Sequence, residues 1–569
     1  MKNKIISFTI IFSVCFFTFS NLFAQDKKHV KNVIIMIPDG TSTAVLSIAR
    51  WYKNSENKGN PLWLAVDKYI CGLVKTYSSD APIGDSAPTG SCYATGHLSQ
   101  AGFISTYPPK TQNDIVKLDP KKAYQPMFTI LEAAKLSGKS TGLVVTCHFP
   151  HATPADFSSH SPFRDEMFPI AKQMVYNNLN VMFGGGLNYL SPLKRDDKKD
   201  LQKVLIDRKY SFVNNYNDFQ KINTKDSLVW GLFADEALQN DIDRNPNEIP
   251  SLLEMTEKAI KILSKNEKGF FLMIEGSKVD WAAHSNDPIG IITEFLAFDK
   301  TVELVLDFAK KDGNTAVVIC PDHGNSGVNI GNSNSSKGYD KLSLTEILDQ
   351  LKKCKNTAEG FYDLLKKLNP NPNEENIKTV FKSNYGIDSL KAPQLKSILE
   401  NITDKYNLTK AVAKIITSKS YIGFTTTGHT AEDVFLSIYH PNNYRPNGVI
   451  LNDSINHYMC DILGIPNLDK YTDVYFATDS LVFKDYSWRI DTTLSATYPT
   501  LIVENSKAGK KLSIEAYTDF YTLTSMKNKG QKTEKKMNSV AVFNQVKNKS
   551  GKIISRHFYV PFSLRKEIE

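Results

Sequence analysis

Short apolar runs recur through the first 330 residues, separated by stretches compatible with helices. Continuous apolar runs of this kind, several rich in β-branched residues, are typical of strands buried on both faces of a mostly parallel sheet. The pattern therefore predicts an α/β fold with a large, mostly parallel central sheet flanked by helices. The runs that define this sheet are 32–37, 142–146, 181–183, 269–274 and 315–319.

Polar residues stand where several of these runs stop. Asp39 follows the first run, Glu275 follows the fourth, and Asp322 and His323 follow the fifth. In open α/β sheets, functional sites lie beyond the carboxyl ends of the strands. The sequence therefore predicts a site at that edge of the sheet.

Composition changes twice further along the chain. Residues 25–330 form the first part of the predicted core, and 331–420 are lysine-rich and helical, which indicates an insertion. The core pattern resumes over 421–465, where the apolar run 434–439 lies. Residues 466–569 intersperse aromatic and aliphatic residues, and they predict a small β-rich C-terminal module.

Residues 1–24 have the composition of a secretory signal peptide. Two lysines precede a long apolar run, and Leu22-Phe23-Ala24 offers a cleavage point after Ala24. A retained membrane anchor is the alternative, whereas Cys15 lacks the small neighbours that lipidation requires. No later stretch is apolar enough to span a bilayer, so the sequence predicts a periplasmic or secreted protein.

Charge and cysteine usage exclude two classes of function. The formal net charge of +9 falls to +7 once residues 1–24 are removed, because they carry Lys2 and Lys4 and no acid. The basic residues are scattered among acids, so no nucleic-acid-binding surface is expected. The six later cysteines form no Cys-x-x-Cys pair, which argues against a zinc ribbon and leaves a single disulfide open.

Several residues with metal-binding chemistry lie at or near the predicted strand ends. Asp280 and His284 are four apart in a helix-compatible stretch, which places a carboxylate and an imidazole on one face. Taken alone, each of these residues is equally well explained as part of a surface pair, as a helix cap or as an ordinary loop residue. Together they offer nitrogen and oxygen ligands, which suit zinc, and all-oxygen sets, which suit magnesium.

The sequence resembles the alkaline phosphatases in seven segments that occur in the order of that family. The resemblance covers 31–330 and 421–465 and implies hydrolysis of phosphate monoesters. The segments are VIIMIPDG, GDSAPTGSCYATG, HATPADFSSHSPFR, VMFGGG, FFLMIEGSKVDWAAH, PDHG and GHTAEDV.

The resemblance also implies a role for each matching residue. Ser86 would be the nucleophile and Arg164 would bind the phosphate. Three ligand sets follow: Asp280, His284 and His429 for one Zn²⁺; Asp39, Asp322, His323 and the Ser86 oxygen for a second Zn²⁺; and Asp39, Thr153 and Glu275 for Mg²⁺. Relatives are commonly dimers, so a homodimer is a further expectation, although no interface follows from the sequence.

Four positions depart from well-known members of the family. Pro38 stands where most relatives have Gly, which is expected to stiffen the turn without removing Asp39 as a ligand. His151 and Trp281 stand where enterobacterial members have Asp and Lys, so the substrate phosphate would meet an imidazole and an indole there. Asn325 stands where many members have His, so a hydrogen bond to a metal ligand is expected to differ. The loss of a carboxylate at residue 151 predicts a weaker magnesium site.

Three other functions are open as alternatives. A sulfatase would place its modified residue at Ser86, but it needs an arginine where this chain has Gly90, and it usually holds one calcium ion without histidine ligands. A phosphodiesterase of the same superfamily shares the two-zinc site, often with a threonine nucleophile. A non-catalytic binder of metal or phosphate would lack the nucleophile or a ligand, and none is missing here.

Overall fold

The computed structural model describes residues 28–55, 63–527 and 530–569. The predicted signal peptide, residues 1–24, lies outside them. The strands are β1 (Asn32–Pro38), β2 (Ile70–Lys75), β3 (Ser140–His148), β4 (Val181–Gly185), β5 (Ser211–Val213), β6 (Val229–Leu232), β7 (Phe270–Gly276), β8 (Thr315–Ile319), β9 (Gly324–Asn325), β10 (Asn329–Ile330), β11 (Ile422–Gly423), β12 (His429–Thr430), β13 (Val434–Tyr439), β14 (Gly448–Leu451), β15 (Ala477–Thr478), β16 (Ser487–Asp491), β17 (Thr500–Asn505), β18 (Lys510–Glu515), β19 (Phe520–Ser525), β20 (Lys532–Lys536), β21 (Val542–Lys547) and β22 (Ile553–Val560).

Helices lie between these strands and pack on both faces of the main sheet. They are α1 (Ala44–Asn54), α2 (Ser86–Thr95), α3 (Ile130–Leu136), α4 (Ala152–Ser158), α5 (Met167–Tyr176), α6 (Leu201–Asp207), α7 (Tyr216–Lys221), α8 (Leu252–Leu263), α9 (Lys278–His284), α10 (Pro288–Asp312), α11 (Leu344–Lys353), α12 (Gly360–Leu368), α13 (Glu374–Tyr385), α14 (Ala392–Glu400), α15 (Lys405–Thr417), α16 (Asp453–Leu463), α17 (Asp469–Tyr475), α18 (Asp479–Val482) and α19 (Leu564–Ile568).

The main sheet has ten strands in the order β14-β2-β13-β8-β1-β7-β3-β4-β6-β5. Strands β8, β1, β7, β3, β4, β6 and β5 pair in parallel, as the apolar runs predict. Strand β13 runs antiparallel to both β8 and β2. The predicted α/β class with a large, mostly parallel sheet is therefore confirmed.

Alternate residues of the central strand β1 enter two separate hydrophobic cores. Val33, Ile35 and Ile37 pack in the core on one face, whereas Ile34 and Met36 pack in the core on the other. All seven residues of β1 are buried, which explains why its sequence is apolar throughout rather than alternating. Because β1 lies in the middle of the sheet, its carboxyl end lies near the middle of the sheet edge.

Residues 344–417 contain five helices, and the C-terminal part of the chain is rich in strands. Helices α12 to α15 pack around their own apolar core, which includes Phe361, Phe381 and Val412. Strands β16 to β20 form a five-stranded antiparallel sheet with a further core of its own. The β-rich C-terminal region is confirmed, while the exact domain boundaries stay predictions.

The described residues contain neither a membrane-spanning helix nor a disulfide. None of the described helices is long and apolar enough to span a bilayer. The six cysteines in the described part of the chain are all free, so no disulfide joins any of them.

A buried lysine connects helix α5 to the C-terminal sheet. The Lys172 side chain is 0% exposed, and its Nζ lies 2.5 Å from Glu515 Oε1 at the end of β18. The Lys172 ammonium also lies 4.7 Å from the centre of the Tyr498 ring. Glu515 is also paired with Lys199, whose Nζ lies 3.2 Å from the same oxygen, so loss of the Lys172 ammonium removes one charge-assisted hydrogen bond without leaving Glu515 unpaired.

We expect Lys172→Ala to destabilise the protein by about 2 kcal/mol, measured as a fall in the midpoint of urea unfolding. Lys203→Ala is the matched control, because Lys203 forms an exposed pair with Asp207 on α6, and its midpoint should not move. Equal midpoints for the two variants would show that the Lys172–Glu515 pair does not stabilise the fold.

Candidate active site

The site begins at the carboxyl ends of three adjacent strands. The parallel register of β1 and β7 pairs Pro38 with Gly276, so that Asp39 emerges beside Glu275. On the other side of β1, β8 ends at Ile319, and the chain continues directly into Asp322. The three acidic side chains are all 0% exposed. Three carboxylates are thus concentrated in one buried volume because their strands are neighbours.

Ser86 is the first residue of helix α2, and Asp85 is its N-cap. The Asp85 carboxylate accepts a hydrogen bond of 2.9 Å from the Ser86 amide and two of 2.8 Å from Arg164 Nη1. Burial alone would raise the pKa of Asp85, but the charges of Arg164 and His323 outweigh it and hold that pKa below its usual value. A serine hydroxyl, a guanidinium and a helix N-terminus therefore lie at one point, an arrangement that favours an anion.

Three imidazoles from distant segments converge on the same volume. The Nδ1 atoms of His284, His323 and His429 lie 2.7, 3.2 and 2.9 Å from backbone carbonyl oxygens. A carbonyl oxygen only accepts hydrogen bonds, so each Nδ1 carries the hydrogen and each Nε2 presents a lone pair when the ring is neutral. This orientation is the one that histidine ligands of metals adopt.

The Nε2 atoms point into two overlapping groups of ligands. In one group, His284 Nε2 lies 3.0 Å from His429 Nε2 and 3.3 Å from Asp280 Oδ2. In the other, His323 Nε2 lies 3.5 Å from an oxygen of Asp39 and 3.5 Å from an oxygen of Asp322. The two groups are adjacent, because the rings of His323 and His429 stack with their centres 3.8 Å apart.

Helix α9 and the short strand pair β9–β12 position the first of these groups. The α9 spacing brings Asp280 and His284 to one face, as the sequence predicts. Strand β12 pairs His429 with Asn325 of β9, so a residue far along the chain lies beside His323. Asn325 Nδ2 also donates a hydrogen bond of 2.7 Å to Asp280 Oδ1 and thereby orients that carboxylate.

The buried acids of the site have too few hydrogen bonds for their charge. Within the described residues, both carboxylate oxygens of Asp39, Oδ2 of Asp322, Oε1 of Glu275 and the Thr153 hydroxyl are buried without a hydrogen-bond partner. Burial, followed by the negative charges of Asp322, Asp280 and Glu275, raises the pKa of Asp39 well above its usual range. Buried polar groups are normally satisfied, so these unpaired oxygens fit bound cations.

The side chains of the site provide donor atoms that suit divalent cations. Carboxylate and imidazole together suit zinc, and the two groups that contain histidine supply this mixture. Asp39, Thr153 and Glu275 offer oxygen alone, which suits magnesium. Burial, followed by the negative charge of Asp322, raises the pKa of Glu275 to about 8. A divalent cation would keep this carboxylate ionised.

His151 and Trp281 lie beside Arg164 and the oxygen-rich group. His151 Nε2 lies 3.4 Å from Arg164 Nη2, and its ring centre lies 5.9 Å from that of Trp281. A guanidinium only donates, so His151 Nε2 accepts and the ring is neutral. Burial, followed by the charge of Arg164, also lowers the pKa of His151 well below its usual value.

Several known proteins with sequences similar to this chain are described as members of one family. The family model for alkaline phosphatase matches residues 30–465. The chain belongs to the alkaline phosphatase family. Alkaline phosphatase 4 of Bacillus subtilis (strain 168) is 33% identical over 439 residues, which cover 75% of this chain and 87% of that protein. Alkaline phosphatases are phosphomonoesterases, and this chain is an enzyme of that class.

Two solved structures extend the comparison. The cold-active alkaline phosphatase of a psychrophilic Shewanella is 27% identical, with a TM-score of 0.64 over 76% of this chain and 99% of that one. A histidine-to-aspartate variant of TAB5 alkaline phosphatase, with Mg bound in its M3 site, is 24% identical, with a TM-score of 0.52 over 77% and 99%. The alkaline phosphatase family is metal-dependent, and candidate metal-binding groups lie in this site.

The structure brings every residue singled out from the sequence into one region, and it adds two. Asp85 and Cys147 were not predicted: Asp85 binds Arg164, and Cys147 Sγ lies 3.4 Å from Glu275 Oε2. The position of Asp85 directly before Ser86 was a usable signal, because aspartate is a preferred N-cap. Cys147 had no comparable signal, since only the parallel register of β3 with β7 brings it beside Glu275.

Gly40 provides a test of how closely the site is packed. Its φ is +58°, and a Cβ at this position would lie 2.1 Å from Asp280 Oδ1. We expect Gly40→Ala to displace the Asp280 carboxylate and to lower both the metal bound per chain and the activity, measured by elemental analysis and hydrolysis rate.

Gly313→Ala is the control for Gly40→Ala. Gly313 has a similar φ of +71°, but in the described part of the chain no side chain or distant backbone atom lies within 4 Å of the point that a Cβ would occupy. The backbone strain is therefore comparable, without the contact with a ligand. Equal metal content in the two variants would contradict the role of the Gly40–Asp280 contact.

Proposed function

We propose that this enzyme hydrolyses phosphate monoesters to an alcohol and inorganic phosphate through a phosphoserine intermediate at Ser86, with two zinc ions and one magnesium ion. One observation carries the proposal: Ser86 Oγ lies 3.3 Å from His323 Nε2, at the edge of the imidazole and carboxylate groups. No separate general base for the serine is needed, because metal coordination can activate such a hydroxyl.

In the proposed reaction, Ser86 Oγ loses its proton and attacks phosphorus, the P–O bond to the alcohol breaks, the leaving oxygen takes up a proton, and a phosphoserine forms. Water then attacks phosphorus and loses a proton, the bond to Ser86 breaks, Ser86 Oγ is protonated again, and phosphate is released. When bound, the zinc ions would stabilise negative charge on the attacking and leaving oxygens. Arg164 would bind two phosphate oxygens, and Asp85 orients its guanidinium beforehand.

The ligand assignment follows the groups already described. Asp280, His284 and His429 would hold one zinc ion, and Asp39, Asp322 and His323 the other. Asp39, Thr153 and Glu275 would hold magnesium, with His151 and Trp281 nearby on the substrate side. A neutral imidazole at residue 151 supplies no carboxylate to this ion, so weak magnesium binding is expected.

The alternatives have less support from the site. A sulfatase would need an arginine at residue 90, and a Cβ at Gly90 would lie 2.3 Å from Asp156 Oδ2. A phosphodiesterase would share the metal groups, so relative rates on phosphate monoesters and diesters separate the two activities. The N-terminal composition supports export to the periplasm or medium. A homodimer also stays a prediction.

We expect Ser86→Ala to reduce turnover of nitrophenyl phosphate by at least about 10³-fold, because the nucleophile is lost. Zinc should remain near two ions per chain by elemental analysis, since the other ligands are intact. Ser343→Ala, which removes an exposed serine before α11, should not change turnover. Turnover of the Ser86→Ala variant at the wild-type rate would eliminate the phosphoserine mechanism.

We expect Arg164→Ala to raise the inhibition constant for inorganic phosphate by about 10- to 100-fold, because two charged hydrogen bonds are lost. Metal content should not change. Arg164→Lys keeps the charge but loses the planar fork, so its inhibition constant should lie between those of the wild type and Arg164→Ala. An unchanged constant in Arg164→Ala would show that Arg164 does not bind phosphate.

A further inference from the structure

A cavity of about 450 Å³ opens beside His284, between helix α9 and helix α15. Helix α9 carries two of the proposed metal ligands, whereas α15 belongs to the predicted helical insertion. The residues that line the cavity and bear on its chemistry are Trp281, His284, Glu359, Lys405, Tyr406 and Thr409.

The cavity lies on the side of the site where the leaving group of the substrate would be. In an in-line displacement, the leaving oxygen lies opposite the attacking oxygen. Ser86 Oγ, the proposed nucleophile, contacts His323, while His284 belongs to the group formed with Asp280 and His429. An ester oxygen that faces this second group has its organic substituent next to His284, where the cavity opens.

Two aromatic side chains form the apolar part of the cavity wall. Tyr406 is 56% exposed although it lies in a helix, and Lys410 Nζ lies 4.1 Å from the centre of its ring. Lys278 Nζ lies 5.1 Å from the centre of the Trp281 ring. These cation–π contacts hold both rings in place. The exposed Tyr406 ring is suited to stacking on a planar base, and the half-buried Trp281 ring lines the cavity beside it.

The polar part of the wall carries one carboxylate that two lysines share. The Glu359 carboxylate lies 2.8 Å from Lys278 Nζ and 3.1 Å from Lys405 Nζ. The ion pairs hold both lysine side chains at fixed positions beside the cavity. The Glu359 and Lys405 side chains still offer an acceptor and a donor to the hydroxyl groups of a sugar.

We propose that this cavity binds the leaving group and that the enzyme prefers monoesters whose alcohol is a nucleoside, namely nucleoside monophosphates. This inference rests on the proposed function, because it assigns the substrate class of the same site. The volume exceeds what a small alcohol such as glycerol fills, and the exposed Tyr406 ring is suited to a planar base. The insertion therefore determines specificity through α15, while the sheet edge supplies the chemistry.

The test compares kcat/KM for adenosine 5′-monophosphate with kcat/KM for glycerol 2-phosphate on the metal-loaded full-length enzyme. We expect the wild type to favour adenosine 5′-monophosphate at least about 5-fold, and Tyr406→Ala to reduce that ratio about 5- to 50-fold, mainly through KM. Tyr406→Phe should retain the ratio, because the ring remains. Adenosine should inhibit the wild type competitively and Tyr406→Ala more weakly.

Tyr339→Ala is the matched control, because Tyr339 is 75% exposed and does not line the cavity, so its ratio should equal that of the wild type. Circular dichroism and metal content establish that each variant is folded and loaded. A wild-type preference for glycerol 2-phosphate, or an unchanged ratio in Tyr406→Ala, would overturn the inference while the phosphatase activity stands. Failure to hydrolyse either ester would instead overturn the proposed function.

Discussion

The arrangement of the site depends on three buried carboxylates whose negative charge is not neutralised by the described residues around them. Asp39, Glu275 and Asp322 are held within one buried volume because their strands are neighbours at the middle of the sheet. Carboxylates brought together in this way repel one another, and burial adds a desolvation cost. The rest of the site, from the imidazoles to the helix N-terminus at Ser86, is arranged around cations that would remove this conflict.

Much of the fold could be predicted because its central strands are buried on both faces. Runs such as 33–37 and 316–319 are apolar throughout, and this leaves little ambiguity about where the strands lie. Strands β2 and β14 lie at one edge of the sheet, where burial is partial and the sequence pattern is weaker. The antiparallel direction of β13 was also unpredictable, because an apolar run carries no information about the direction of its neighbours.

The site residues were predictable for a different reason: their chemical type and their order along the chain matched a family. Spacing alone identified only Asp280 and His284, which share a helical face. The contacts that orient these ligands were harder to find. Cys147 approaches Glu275 only through the pairing of β3 with β7, and the cavity wall formed by Tyr406 depends on how the insertion packs. Such contacts arise from tertiary structure, for which a single sequence has no local signal.

The short pairing of β9 with β12 has a consequence for how this protein is made. His429 lies 145 residues after His284 in the chain, so the ligand group that they share is incomplete until most of the polypeptide has been synthesised. Contacts of such long range form late in folding, because closing a long loop is entropically costly. Under the proposed ligand assignment, a nascent chain that still lacks His429 would therefore have low affinity for metal. Capture of the ion and completion of the fold would in this way be coupled.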